Sequence, residues 1–238
     1  ENRLGPYVLE RRIGIGGMGE VFVARHALTG ERVALKTSRR DHPKHRYRFK
    51  REYRALVDVA HPNLVRFGEL HMADTGPSFL TMELLDGEHF VKWVRGSLPE
   101  GSVPDIARLE AALRQLVEGL AFLHGQGYVH RDLKPSNVIV TREGRVVILD
   151  FGIVLEPTES QLGLTNEGQA LGTPLYMAPE QAAGRSSPAA DCYSLGAILF
   201  ESLTGRAPHA SSMLEFSTPR TPESRLPLEA IPVRLRSE

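Results

Sequence analysis

A chain of 238 residues with 41% apolar and 24% charged content is an ordinary globular polypeptide, long enough for one sizeable domain or two lobes. Its 29 basic and 29 acidic residues cancel, so no global field draws it to nucleic acid or to an anionic membrane surface. No apolar run approaches the roughly 20 residues of a membrane helix, and no signal peptide opens the chain. A sole cysteine, Cys192, excludes an internal disulfide and fits a reducing, cytoplasmic compartment. The first residue is Glu1 rather than Met, as in a piece of a longer protein, whose remainder could still carry a membrane anchor.

The chain begins as strands. Val8-Leu9, Val21-Phe22-Val23 and Arg32-Val33-Ala34-Leu35 are separated by glycine-rich or Thr29-Gly30 turns. From Arg48 to Val59 the residues Phe49, Glu52, Leu56 and Val59 recur at helical spacing, and His61-Pro62-Asn63 stops that helix. Its basic residues, Arg46 to Arg54, could suggest nucleic acid, but the interleaved Phe49, Glu52 and Leu56 favour an amphipathic helix. Leu64–Leu70 and Phe79–Met82 read as two further strands, completing a small, mostly antiparallel sheet with one helix over residues 1–85.

After Asp86-Gly87 the pattern turns helical. Ile106, Leu109, Leu113, Leu116, Leu120 and Leu123 form a long apolar stripe. A hairpin of 138–140 and 146–149 turns at Glu143-Gly144, and 153–172 is an aperiodic loop of a length that is usually functional. Tyr193–Leu203 predicts a strongly apolar helix, and from Ser211 the chain is rich in Pro, Ser and Arg without periodicity. The expected fold class is α+β: a small β lobe over 1–85 and a larger, mainly helical lobe over 86–238.

Chemistry concentrates in three places. Gly14-Ile15-Gly16-Gly17-Met18-Gly19 runs into the strand Glu20-Val21-Phe22-Val23, so its glycines bend a hairpin rather than open a dinucleotide-binding helix. Such a turn lets backbone N–H groups approach phosphate, though an ordinary glycine-rich turn would read the same. Lys36 shares a strand face with Ala34, and Glu52 sits within an apolar stripe; either alone reads as a solvated surface charge. Together they suggest an ion pair, which relieves the cost of burying both. Third, His130-Arg131-Asp132-Leu133-Lys134-Pro135-Ser136-Asn137 puts a carboxylate, an ammonium and an amide in one loop, and Asp150-Phe151-Gly152 supplies a second carboxylate. Phosphoryl transfer needs these groups to orient a hydroxyl, neutralise phosphate and offer hard oxygen ligands to magnesium. Each aspartate alone would pass as a cap or turn residue. His130 reads as a packed, hydrogen-bonded histidine, Asp191 as a helix N-cap and Cys192 as a small packed residue.

These motifs, with Val33-Ala34-Leu35-Lys36, Gly172-Thr173-Pro174-Leu175-Tyr176-Met177-Ala178-Pro179-Glu180 and Asp191-Cys192-Tyr193-Ser194-Leu195-Gly196, resemble the protein-kinase family from about Tyr7 to Ala207. The wording Gly16-Gly17-Met18-Gly19 and Met177-Ala178-Pro179-Glu180-Gln181 is similar to its bacterial serine/threonine members. The resemblance implies a bilobal fold and Mg-dependent transfer of the ATP γ-phosphoryl group to serine or threonine hydroxyls of proteins, with manganese able to stand in for magnesium. It implies that Asp132 accepts the hydroxyl proton, Lys134 stabilises the phosphoryl group, and Asn137 and Asp150 bind the metal. Lys36, held by Glu52, would contact the inner phosphates. The ATP-binding set would be Ile13, Gly14, Ile15, Gly16, Gly17, Met18, Gly19, Glu20, Val21, Ala34, Lys36, Met82, Glu83, Leu85 and Ile139. Leu56, Phe151 and His130 would belong to a packed column aligning the lobes, and Asp191 would hold the catalytic loop's backbone.

Lys134 with Thr173 implies selection of serine or threonine over tyrosine. Arg131 beside Asp132 implies control by activation-loop phosphorylation, with Thr165 the preferred acceptor and Thr158 and Ser160 behind it. After His209 the family's later helices, and the arginine that pairs with the Glu180 position, are not legible, so the larger lobe reads as incomplete. A fused regulatory domain beyond residue 238 is the expected partner module. The alternative from another class is a pseudokinase, a nucleotide-binding or scaffolding module, against which the intact Lys36, Asp132, Asn137 and Asp150 argue; Gly172–Glu180 argues likewise against a small-molecule kinase.

Overall fold

The computed structural model describes residues 2–16, 19–38, 50, 53, 54, 57, 59–73, 77–149, 174–182 and 184–208. The chain divides into two compact units, Glu1–Asp86 and Gly87–Glu238.

The first unit is built on a six-stranded sheet in the order β1-β2-β3-β4-β6-β5. Its strands are β1 (Arg3–Leu4), β2 (Tyr7–Gly16), β3 (Gly19–His26), β4 (Arg32–Thr37), β5 (Phe67–His71) and β6 (Phe79–Glu83), every neighbouring pair antiparallel. Alternation sorts their side chains. Tyr7, Ala24, Leu35 and Phe79 form a buried cluster joined by Leu4, Leu9 and Val33. Tyr7 meets Phe79 edge-on at 5.9 Å between centroids, a favoured aromatic geometry. The register places Val21 opposite Lys36, Val23 opposite Ala34, Ala34 opposite Met82 and Lys36 opposite Leu80, so these residues share the other face.

Two expectations change here. The strand expected from Leu64 starts at Phe67, because the Leu64 N–H donates back to the His61 carbonyl at 3.1 Å and closes a turn. Leu64 and Val65, adjacent in sequence, are both buried, which a strand with one solvated face does not allow. The helix expected over 48–59 falls mostly outside the described residues.

The second unit pairs a three-stranded sheet, β7 (Gly87–His89), β8 (Val138–Thr141) and β9 (Val146–Ile148), with helices α1 (Phe90–Arg95), α2 (Ile106–Gly125), α3 (Pro179–Ala182) and α4 (Pro188–Thr204). The strand β7 was not expected. It has three exposed residues and no alternation, and what marks it is Gly87, where any Cβ would run into the Val140 carbonyl of the paired strand. Gly144, at a φ of 82°, turns the β8–β9 hairpin where the sequence placed it.

In α2, Asp105 caps the N-terminus by accepting from the Arg108 N–H at 3.1 Å. Its buried face is Leu109, Ala112, Leu116, Gly119, Leu120 and Leu123. Ile106, 38% exposed, and the half-buried Leu113 flank that face instead of lying on it. Each fully buried leucine contributes about 1.5–3 kcal/mol.

The helix α4 begins at Pro188, five positions before the expected Tyr193, since proline suits the first helical turn. It ends on Gly205 at φ 86°, whose N–H returns to the Glu201 carbonyl at 2.8 Å. Asp191 therefore lies inside the helix and is not its N-cap, and Cys192 is exposed, not packed. The far end of α4 is secured from α1. Arg95, only 6% exposed, donates to the carbonyls of Ser202 at 3.0 Å and Leu203 at 3.3 Å, as well as to Pro99 and Ser102.

Candidate active site

In the first unit the β2–β3 hairpin carries Ile13, Gly14 and Ile15 on one strand and Gly19, Glu20 and Val21 on the other, with Gly16 opposite Gly19 at the bend. Ile13 and Ile15 are 44% and 56% exposed. Val21, Ala34, Lys36 and Met82 lie on the sheet face opposite the core cluster, brought together by register. Lys36 is buried, as its place beside Ala34 suggested. The Glu83 N–H donates to the Arg66 carbonyl at 3.0 Å, and Leu85 follows β6. Gly17, Met18, Glu52 and Leu56 lie outside the described residues, so the expected Lys36–Glu52 pair does too.

In the second unit the loop between α2 and β8 gathers Asp132, Lys134 and Asn137. Lys134 Nζ donates to Asp132 Oδ2 at 2.7 Å. Asn137 Nδ2 donates to the Asp132 carbonyl at 2.8 Å and to Oδ2 at 3.1 Å. A 3-10 turn over Pro135–Asn137, favoured by proline at its first position, folds the amide back in this way. The Asp132 carboxylate is thus held by an ammonium and an amide, yet its side chain stays 41% exposed and accessible. Ile139 sits on β8, next but one to Asn137.

The loop's backbone is gripped from beneath. Asp191, 1% exposed, accepts from the N–H groups of His130 at 2.8 Å and Arg131 at 2.9 Å, and from His124 Nε2 at 2.8 Å. His130 is fully buried; its Nε2 donates to the Leu149 carbonyl at 2.8 Å, which leaves Nδ1 to accept the Asp132 N–H at 3.3 Å. That arrangement uses both ring nitrogens structurally. Arg131 has φ 68°, the one non-glycine residue with positive φ among the described residues. For a bulky side chain this costs about 1–2 kcal/mol, which the Asp191 bonds offset. Asp150, Phe151, Thr158, Ser160, Thr165 and Thr173 lie outside the described residues.

Two further features of this unit escaped the sequence reading. Gln181 of α3 donates from Nε2 to the Arg131 carbonyl. Tyr176, buried, donates its hydroxyl to Glu201 Oε2 at 2.5 Å. Burial pushes the Glu201 carboxyl above its ordinary range, against the Tyr176 hydrogen bond and Arg95; burial, with Glu201 beside it, pushes the Tyr176 phenol up. The one signal in the sequence was an acid inside an apolar helix.

A testable consequence follows from the sign of that shift. A raised folded pKa means that folding disfavours ionised Glu201. This contribution favours the fold below the unfolded pKa and is lost as pH rises through the folded value. Glu201→Gln keeps an oxygen for Tyr176 and removes the charge. It should melt like wild type near pH ~4 and above wild type near pH ~8; a difference that does not grow with pH would refute burial as the cause.

The family model described as "Protein kinase domain" matches residues 7–221. The chain belongs to this family. Its kinase domain is similar to serine/threonine-protein kinase Pkn1 of Myxococcus xanthus, at 39% identity over 87% of this chain and 30% of that protein. It is 36% identical to a probable serine/threonine-protein kinase of Streptomyces coelicolor, over 86% of the chain and 31% of that protein. With serine/threonine-protein kinase PknA of Mycobacterium tuberculosis it shares 37% identity over 87% of the chain and 48% of that protein. The chain thus spans less than half the length of these relatives. The α+β composition of the described units agrees with the family fold that the sequence implied. Among the described residues, no helix is long and apolar enough to cross a membrane.

Proposed function

We propose that this kinase domain transfers the γ-phosphoryl group of ATP to serine and threonine hydroxyls of proteins. The observation that carries the reading is the accessible Asp132 carboxylate, 2.7 Å from Lys134 Nζ and bonded by Asn137. Asp132 orients the acceptor hydroxyl and takes its proton, and Lys134 lends positive charge to the phosphoryl group in flight. Asn137 spends its amide nitrogen on Asp132, so its Oδ1 is the atom suited to a hard cation. With Asp150 it would hold magnesium, or manganese in its place; a bound divalent ion neutralises charge on the phosphates. The donor chemistry at Asn137 fits.

In the first unit Lys36, with Glu52, contacts the inner phosphates, and the glycine-rich hairpin from Ile13 to Val21 covers them. Val21, Ala34 and Ile139 flank the adenine, and Met82 guards the back of its site. Because the Glu83 N–H is committed to Arg66, the base contact there falls to its carbonyl, followed by Leu85. The units divided after Asp86 act as the two lobes, and the domain works in the cytoplasm, where ATP is supplied. The greater length of the relatives supports a fused regulatory domain in the parent protein. Thr173 with Lys134 selects the hydroxyl class, and phosphate on Thr165, or failing that on Thr158 or Ser160, pairs with Arg131 to raise activity.

The test is one reaction with γ-labelled ATP, magnesium and otherwise matched serine, threonine and tyrosine peptides, followed by mapping of phosphate on the chain itself. Label is expected on serine and threonine and on Thr165. No transfer, or equal transfer to tyrosine, would overturn the reading.

A further inference from the structure

Arg131 precedes the carboxylate proposed to meet the substrate, and its backbone is held on both sides. Its N–H donates to Asp191 Oδ1 at 2.9 Å, and its carbonyl accepts from Gln181 Nε2. A carbonyl can only accept, so the amide must present its nitrogen. The residue so held is the one with φ 68°, a conformation that an arginine leaves readily once its partners are gone. The Arg131 carbonyl and the Asp132 nitrogen belong to one rigid peptide plane. Whatever fixes that carbonyl therefore fixes where the Asp132 backbone begins.

Gln181 is itself well anchored. Its N–H donates to the Ala178 carbonyl at 3.0 Å, and its carbonyl accepts from the Gly184 N–H at 3.0 Å. The turn that carries it follows Tyr176, Met177 and Ala178. There the Tyr176 carbonyl accepts from Ser194 Oγ at 2.8 Å, and the Tyr176 hydroxyl reaches Glu201. The Gln181 amide thus joins this segment to the loop of Asp132, and both line one shallow depression.

We infer that Gln181 is a positioning residue, which holds the Arg131–Asp132 peptide so that the Asp132 carboxylate keeps its bonds to Lys134 and Asn137. The inference rests on the catalytic role of Asp132 proposed above. Asp191 fixes one end of the strained residue and Gln181 the other, and misplacement by about an ångström suffices to slow a reaction that depends on orientation.

The test compares wild type, Gln181→Met, Gln181→Lys and Asp132→Asn as the whole chain. Methionine keeps the length of glutamine and removes the donor; lysine restores one of similar reach. For Gln181→Met, kcat should fall about tenfold, with KM for ATP within about twofold and the melting temperature near wild type. The amide of Asp132, bonded to His130 Nδ1, should exchange with deuterium faster. In Gln181→Lys most of the rate and the protection should return. A kcat within twofold of wild type for Gln181→Met, a loss matched by a lower melting temperature, or a Gln181→Lys as slow as Gln181→Met would each overturn the assignment. Asp132→Asn separates the two failures. If it turns over like wild type, the catalytic reading falls and takes this inference with it; if it is inactive while Gln181→Met is normal, only the role of Gln181 is lost.

Discussion

Replacement of Asp132 by asparagine is expected to lower kcat by about 10²–10⁴-fold, the range for losing a positioned proton acceptor. The fold should survive. The side chain is 41% exposed, and an asparagine Oδ1 can still accept from Lys134 Nζ and Asn137 Nδ2, which now reach Oδ2 at 2.7 and 3.1 Å. Nucleotide affinity should change little, since the groups proposed to hold ATP lie mostly on β2, β3, β4 and β6. What asparagine cannot do is take a proton from the substrate hydroxyl. The decisive measurement is single-turnover transfer to a serine peptide beside nucleotide binding on the same preparation. A variant that binds ATP and transfers at the wild-type rate would remove Asp132 from the mechanism. Transfer to water should fall with transfer to the peptide, because both nucleophiles must lose a proton.

How much was legible depended on whether the cause lay close along the chain. The β2–β3 hairpin and the Asp132–Lys134–Asn137 cluster are local: glycines bend the first, and a proline-led turn folds the second back on itself. The placement of Lys36 beside Ala34 followed from strand alternation alone. Several partners distant in sequence left no local sign. Arg95 ends a short helix with the look of a surface residue, yet the carbonyls of Ser202 and Leu203 that receive it arrive from α4. Gln181 closes the stretch Met177–Gln181 read as a family signature, but its target, Arg131, comes from the loop before β8. Locally Asp191 reads as a cap, whereas Pro188 starts the helix earlier; the resemblance implied instead that it holds the loop's backbone, and its bonds to the His130 and Arg131 N–H groups do so. Gly87 marks a close backbone approach, but the strand it begins is only three residues long, too short to show a periodicity.

The largest expected effect on stability belongs to Asp191→Ala. The wild-type carboxylate, 1% exposed, accepts from His130 N–H, Arg131 N–H and His124 Nε2, all at 2.8–2.9 Å. Alanine leaves these donors without that acceptor in a place water reaches poorly. Loss of the acceptor costs about 1–3 kcal/mol at the buried His130 N–H and less at the part-buried Arg131 N–H and His124 Nε2, so the total should reach about 3–5 kcal/mol. Against a stability of about 5–15 kcal/mol for a typical domain, that is a large fraction, and the melting temperature should drop on the order of 10 °C. Asp191→Asn is the informative companion. It keeps one acceptor oxygen and offers an NH₂ that cannot serve another donor, so its loss should fall between wild type and alanine. The two variants also separate stability from geometry. If Asp191 serves only to satisfy buried donors, Asp191→Asn molecules that remain folded will transfer phosphate at the wild-type rate. If it also holds Arg131 at φ 68°, as its bond to the Arg131 N–H indicates, folded Asp191→Asn will be slow well below its melting point. Melting curves and initial rates on one preparation decide this. An Asp191→Ala protein that melts within about 2 °C of wild type would show that the carboxylate bears little of the loop's stability.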